Sequence, residues 1–254
     1  MRKVIKYLLK FIPRTFLIKF SPLATKIFPF FLKGDNVHCP ICNNKFRKFL
    51  PYGINPRNNA LCPKCLSLER HRLLWLYLNR KTDFFEKEYK VLHVAPEQVF
   101  HKLLKKQKNL TYVTIDLESP LADVKMNLEK MTFGNNEFDI VFCNHVLEHV
   151  DNDMKALSEI HRVLKENGYA ILQSCIDYDR EKTYEDANII TPKDREREFW
   201  QKDHVRLYGM DYSKRLKSSG FVVEECNFIN ELSKEEIDRY KLPMKETIFI
   251  GRKL

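Results

Sequence analysis

The sequence predicts a doubly wound, Rossmann-like α/β domain, preceded by amphipathic helices and a small cysteine-bound module. Three observations predict it. From residue 90 onward, short apolar runs alternate with helical stretches. The run at 90–94 passes into a helix at Pro96, and an acid, Asp116, ends the next run about twenty residues on. Two Cys-x2-Cys pairs stand together between residues 39 and 65.

At 254 residues the chain holds one sizeable core plus a small module. Its net charge of +10 is uneven. Residues 1–33 carry eight Lys or Arg and no acid, and the surplus continues to residue 110. Residues 111–254 are net acidic. An anionic partner therefore belongs to the first half.

The N-terminus, "MRKVIKYLLKFIPRTFLIKFSPLATKIFPFFLKG", is apolar and basic together. Lys6, Lys10, Arg14 and Lys19 interrupt every apolar run, which excludes a signal peptide and a membrane-spanning helix. Lys3, Lys6, Lys10 and Arg14 step along one helical face, and Pro13 and Pro22 divide the segment into short helices. Residues 1–35 are thus expected to form basic amphipathic helices. They would make peripheral contact with an anionic membrane through residues 1–33, or simply pack and show their lysines to water.

Residues 36–66 form the module. Cys39 and Cys42 make one tight turn, Cys62 and Cys65 a second, and Phe46, Phe49, Pro51 and Gly53 suit a hairpin between them. Four facing thiolates suit a closed, structural Zn²⁺ site, a zinc ribbon. Two disulfides are the alternative, but nothing marks the chain as secreted. Cys143, Cys175 and Cys226 lie in apolar, strand-like surroundings and read as buried, inert thiols. Leu68, Leu73, Leu74, Leu76 and Tyr77 then give a helical stripe, a linker helix over 67–88. His71 on it reads as a surface or satisfied histidine rather than a ligand.

In residues 89–254 the expected strands are 90–94, 111–116, 121–126, 138–143, 168–175, 221–227 and 246–252. The expected helices are 97–107, 152–166 and 211–219. Strands such as "FDIVFC" suit a parallel sheet covered on both faces. Helix 152–166 carries Met154, Leu157, Ile160 and Leu164 on one stripe and is expected to stop at Gly168. Residues 178–210 are a charged insertion with the length of a lid or substrate loop. In such a sheet the ligand lies at the carboxyl ends of the strands.

"FDIVFCNHVLEHVDNDMKALSEIHRVLKENGYAIL" resembles the fourth-to-fifth-strand block of class I S-adenosylmethionine (SAM) dependent methyltransferases. The order of the whole chain from about residue 36 is similar to a bacterial group of these enzymes with an N-terminal zinc ribbon. "SLERHRLLW", "LHVAPE" and "DHVRLYG" carry that narrower likeness. The resemblance implies a seven-stranded class I methyltransferase sheet of the type 11-like kind, with SAM as cofactor and structural Zn²⁺. It also implies a cofactor shell of His93, Ala95, Pro96, Glu97, Asp116, Leu117, Asn127, Leu128, Asn144 and His145. Asp116 falls at the ribose position and Asn127 at the adenine position, where the family more often has Asp.

The first turn departs from the family pattern, with Ala95, Pro96 and Glu97 where glycines are expected. A pyrophosphate needs bare backbone N–H groups, whereas SAM has no phosphate and carries a positive sulfonium. Glu97 could accept its ammonium. The turn therefore suits SAM and is poor for NAD or ATP.

For a hydroxyl acceptor, a base of near-neutral pKa helps the transfer. The candidates are His204, His145 and His149, with Arg206 and Tyr208 as substrate-binding residues, Arg206 as an anion clamp. The reading is a cytoplasmic SAM-dependent methyltransferase, peripheral at the inner face of the membrane, acting on a small-molecule, saccharide or lipid-linked acceptor. Two alternatives stand beside it. One is an RNA methyltransferase with zinc-ribbon RNA contacts, since "FRKFLPYGINPRNN" interleaves aromatic and basic residues. The other is a non-catalytic zinc-ribbon interaction protein.

Overall fold

The computed structural model describes residues 25–53 and 56–254. The helices expected over residues 1–24 lie outside the described residues; 25–31 are helical. In chain order the strands are β1 (Lys33–Cys39), β2 (Asn44–Phe46), β3 (Leu50–Tyr52), β4 (Arg57–Leu61), β5 (Tyr89–Val94), β6 (Leu110–Asp116), β7 (Val124–Lys125), β8 (Phe138–Cys143), β9 (Leu164–Ile171), β10 (Tyr184–Glu185), β11 (Arg206–Leu207), β12 (Val222–Cys226) and β13 (Ile248–Arg252). The labelled helices are α1 (Glu69–Lys81), α2 (Gln98–Leu104), α3 (Asp153–Val163), α4 (Pro192–Glu198), α5 (Tyr212–Ser218) and α6 (Lys234–Tyr240).

The chain divides into two compact units. One takes residues up to Lys81 together with Ile229–Glu246; the other takes Thr82–Phe228 and Thr247–Leu254. Helix α1, expected as a linker, thus lies in the module's unit, and so do residues 229–246, expected in the α/β domain. Arg72 explains both placements. It is fully buried, and its guanidinium donates to the carbonyls of Ala60, Ser67, Tyr240 and Lys241. Its charge also lies 4.6 Å from the Phe49 ring. One cation thereby ties β4, the second cysteine turn and the end of α6 to α1.

In that unit β1 pairs with β2 and β3 with β4, both antiparallel. The second pair is the hairpin expected between the cysteine turns.

The larger unit is built on a seven-stranded sheet in the order β12-β13-β9-β8-β5-β6-β7. All pairings are parallel except those of β13, which runs antiparallel to both neighbours. The seven expected strands are these seven. Alternate residues of β5 and β8 are apolar on both faces because helices cover both sides. Leu92, Val94, Val141 and Cys143 are buried with Ala156, Leu157, Ile160 and Val163 of α3 in one core.

Helix α3 ends at Val163, short of Gly168, because Leu164 turns extended (φ −68°, ψ 139°) and begins β9. The left-handed residue is Asn167 (φ 63°). Gly168 serves another need: a Cβ there would lie 2.8 Å from the carbonyl oxygens of Asp139 and Lys165.

Candidate functional site

The ribbon's four sulfurs lie together. Cys39 Sγ is 3.5 Å from Cys65 Sγ, Cys42 Sγ is 3.7 Å from Cys62 Sγ, and all four lie within 4.8 Å of one another. A tetrahedral zinc with ~2.3 Å bonds needs sulfurs ~3.8 Å apart, close to what is found. The turns are set by left-handed residues just after each pair, Asn43 (φ 52°) and Leu66 (φ 62°). The Ser67 hydroxyl lies 3.3 Å from Cys39 Sγ and 3.2 Å from Cys65 Sγ, which suits support of metal-bound thiolates. The chemistry of this donor set fits zinc, and buried Arg72 offsets part of the net −2 of a four-thiolate site.

In the larger unit, strand register assembles the second site. Val94 pairs with both Ile115 and Cys143, so the residues that follow, Ala95, Asp116 and Asn144, emerge side by side. Asp116 pairs with Lys125, which brings Asn127 to the same end.

Ala95 adopts φ 49°, the left-handed conformation a glycine would take, so the bend forms without glycine. Glu97 starts α2 without a side-chain cap. Its Oε2 lies 2.8 Å from His93 Nε2, and His93 Nδ1 lies 2.7 Å from the Tyr112 hydroxyl. His93 is fully buried with both ring nitrogens engaged. It positions Glu97 and does not line the ligand space as expected. Pro96 is buried.

The Asp116 carboxylate accepts from the Glu118 and Ser119 amides through Oδ1, which fixes the β6 turn. Leu117 beside it is exposed. Asn127 is exposed and its Oδ1 accepts from the Glu129 amide. Leu128 is buried in the core. Asn144 is the informative one. Its side chain is buried, and neither its Oδ1 nor its Nδ2 has a hydrogen-bond partner. A bound ligand would give this buried amide the partners it lacks.

The loop after β8 carries the histidines. His145 (φ 54°) lies with Nδ1 3.3 Å from Glu148 Oε1 and 3.7 Å from Cys175 Sγ, and its buried Nε2 has no partner. Cys175 is thus a neighbour of the site, not an inert core thiol. Glu148 is fully buried and accepts from the Ser174 hydroxyl at 2.7 Å. Burial opposes its ionisation. The hydrogen bonds from His145 Nδ1 and the Ser174 hydroxyl outweigh that and hold the carboxyl well below its usual range. His149 Nδ1 is 3.2 Å from the Asp203 carbonyl. His204 is fully buried, its Nδ1 is 2.8 Å from the Phe199 carbonyl, and its Nε2 has no partner. The rings of His149 and His204 stand edge to face at 4.6 Å. Burial pushes the His204 pKa down, which favours the neutral ring.

Arg206 and Tyr208 take anchoring places instead of the expected substrate contacts. Arg206 is buried and donates to the carbonyls of Leu147, Val150 and Asp151 and to Glu185 Oε2. The Tyr208 hydroxyl donates to Asp153 Oδ2 at 2.7 Å in the core. With the Val205 amide bonded to the Glu148 carbonyl, these contacts dock the end of the insertion onto the histidine loop. That docking is what brings His204 to His149. Glu148 is the residue the sequence reading missed; its place in His145-x-x-Glu148-His149 was the available signal.

Residues 79–172 match the family model described as a methyltransferase domain. A curated relative, an uncharacterised protein of Methanocaldococcus jannaschii, is 50% identical over 46 residues, 18% of this chain and 20% of that protein. The chain thus matches only about a fifth of that relative's length. Among solved structures, the [4+2]-cyclase SpnF superposes with a TM-score of 0.50 at 14% identity, over 72% of this chain and 80% of that one. The 1,6-didemethyltoxoflavin-N1-methyltransferase of Burkholderia thailandensis, solved with bound 1,6-didemethyltoxoflavin and S-adenosylhomocysteine, gives 0.49 at 15%, over 73% and 77%. YcgJ of Bacillus subtilis gives 0.47 at 15%, over 72% and 98%. These likenesses describe the fold alone.

Residues 79–172 thus carry the methyltransferase-domain match, and the sheet order is that of the class I SAM-dependent methyltransferase fold. SAM is the cofactor of that class, and the left-handed Ala95 bend and the partnerless Asn144 amide fit it. Among the described residues no helix is long and apolar enough to cross a membrane.

Proposed function

We propose that this methyltransferase places its methyl group on an oxygen of a saccharide, small-molecule or lipid-linked acceptor, with His145 taking the acceptor's proton. The observation that carries it is the His145–Glu148 pair. A carboxylate only accepts, so His145 Nδ1 carries the hydrogen toward Glu148 and Nε2 presents a lone pair. That nitrogen is buried and partnerless, while the side chain keeps 19% of its surface exposed. The left-handed backbone of His145 is the kind of strain that active sites hold. This assignment moves the base role from His204, which is enclosed, to His145.

SAM, when bound, supplies a methyl group on a sulfonium, a carbon ready for displacement. Asn144 and the Ala95 bend would hold it, with Glu97 and Asp116 as its polar boundary. His145 removes the hydroxyl proton as the oxygen lone pair forms the O–C bond and the C–S pair returns to sulfur. Structural zinc in the ribbon would hold shape only, since four thiolates leave no open position.

The lipid-linked part rests on the first segment. Phe28, Phe30 and Phe31 are exposed, Phe30 at 80%, on a stretch with no acids through residue 33. Apolar rings among lysines suit an anionic bilayer surface. Methyl-labelled SAM offered with cell-envelope lipid and saccharide fractions tests the reading. Label should enter one of them, and His145→Ala should cut transfer by about 10²-fold or more while S-adenosylhomocysteine still binds. Label entering RNA alone would overturn it.

A further inference from the structure

The histidine loop holds more than a base needs. One nitrogen each from His149 and His204 and one Glu148 oxygen lie within 4.8 Å of one another. We propose that these three side chains bind a first-row divalent cation, which receives the acceptor's oxygens.

The outer contacts of each ligand are already in place. Metal-bound histidines commonly donate their second ring N–H to a backbone carbonyl or carboxylate, and ligating carboxylates are themselves hydrogen-bonded. His204 Nδ1 meets the Phe199 carbonyl at 2.8 Å. His149 Nδ1 meets the Asp203 carbonyl at 3.2 Å. Glu148 Oε2 takes the Ser174 hydroxyl at 2.7 Å. Both imidazoles are thus turned so that Nε2 is the nitrogen left for a ligand. His204 Nε2 is buried in a fully enclosed side chain and has no partner. Glu148 is buried too, and among the described residues no Lys or Arg pairs with it. A buried carboxylate with one nitrogen of each histidine within 4.8 Å is an arrangement that a cation completes.

Cations of this class bind nitrogen and carboxylate oxygen at ~2.1 Å, so their donors stand ~3 to ~4.2 Å apart. Side-chain shifts of under about 1 Å would close the present set. Two histidines and one carboxylate leave coordination positions open. An acceptor with two adjacent oxygens, such as a saccharide diol, would fill them and be held next to His145. This deepens the methyltransferase reading by naming the acceptor as an oxygen chelator, and its chemical consequence rests on that reading. The cation site itself does not.

The test uses the full chain with its ribbon loaded with zinc. Co²⁺ is titrated and followed by its visible absorption, with free zinc and S-adenosylhomocysteine binding measured in the same samples. One Co²⁺ per chain without zinc release is expected. His149→Ala, at a half-exposed position that leaves the core intact, should weaken Co²⁺ binding at least tenfold and leave S-adenosylhomocysteine binding unchanged. His204→Ala should do the same where circular dichroism shows it folded. No Co²⁺ uptake, uptake matched by zinc release, or uptake unaffected by His149→Ala would overturn the site. Loss of S-adenosylhomocysteine binding in the unmodified chain would instead strike the methyltransferase reading.

Discussion

Ala95 shows how a single residue changes what a loop accepts. An L-residue in the left-handed region costs about 1–2 kcal/mol, and glycine there costs about 0.4–1 kcal/mol through the unfolded chain. Ala95→Gly should therefore change stability by about 0 to 1.6 kcal/mol, in the stabilising direction, whereas Ala95→Val should destabilise by about 2 kcal/mol. Urea unfolding of the two variants checks this; a stable Ala95→Val protein would mean that the bend is not left-handed. The clustering of the four cysteines and the place of Asp116 at the end of β6 were legible in the sequence because their spacing carries them. Arg206, Tyr208 and His93 misled because composition shows that a side chain is polar, not where its hydrogen bonds go. Arg206 spends its donors on Leu147, Val150 and Asp151, residues 55 or more positions away.

Between elements, the insertion and the loop after β8 act as one piece. Asp153, in the first turn of α3, takes two hydrogen bonds from Arg215 of α5 and one from Tyr208. Burial opposes its charge, but the Arg215 and Tyr208 hydrogen bonds and the charges of Arg206 and Arg215 prevail and hold its pKa below the usual value. Its folded-state pKa is therefore the lower one. The stabilisation is present above the unfolded carboxyl's range, near pH 4, and is lost as pH falls through the folded value. Asp153→Asn should cost about 3 kcal/mol at pH 7, and the gap to the unmodified chain should narrow as pH drops from about 4 toward 2. A gap constant with pH would show that the carboxylate's charge is not what stabilises. Gly168→Ala should cost about 2 kcal/mol or more, because the two carbonyls 2.8 Å from its Cβ belong to backbone that cannot move aside. Strands were legible to within a few residues because the parallel core makes them apolar runs. The end of α3 was not, since a glycine after a helix looks the same whether it caps the helix or admits a neighbouring carbonyl.

For the whole molecule, the two units do not follow chain order. Residues 229–246 join the ribbon's unit because the carbonyls of Tyr240 and Lys241 accept from Arg72, a pairing across about 170 residues that no local pattern announces. Removing ribbon zinc should expose amides of β1, β2 and α6 to hydrogen exchange well before those of β5 and β8, since metal binding there is part of folding. Equal loss in both units would show that the ribbon does not fold around its metal. The central claim is that a glycine-free bend, with the Asn144 amide beside it, binds the methyl donor. Calorimetry of the full chain with S-adenosylhomocysteine tests it most directly. The account predicts one site per chain that Asn144→Ala weakens by about tenfold, roughly the worth of one buried hydrogen-bonding group. No heat at millimolar ligand, or full affinity in the folded Asn144→Ala chain, would contradict it.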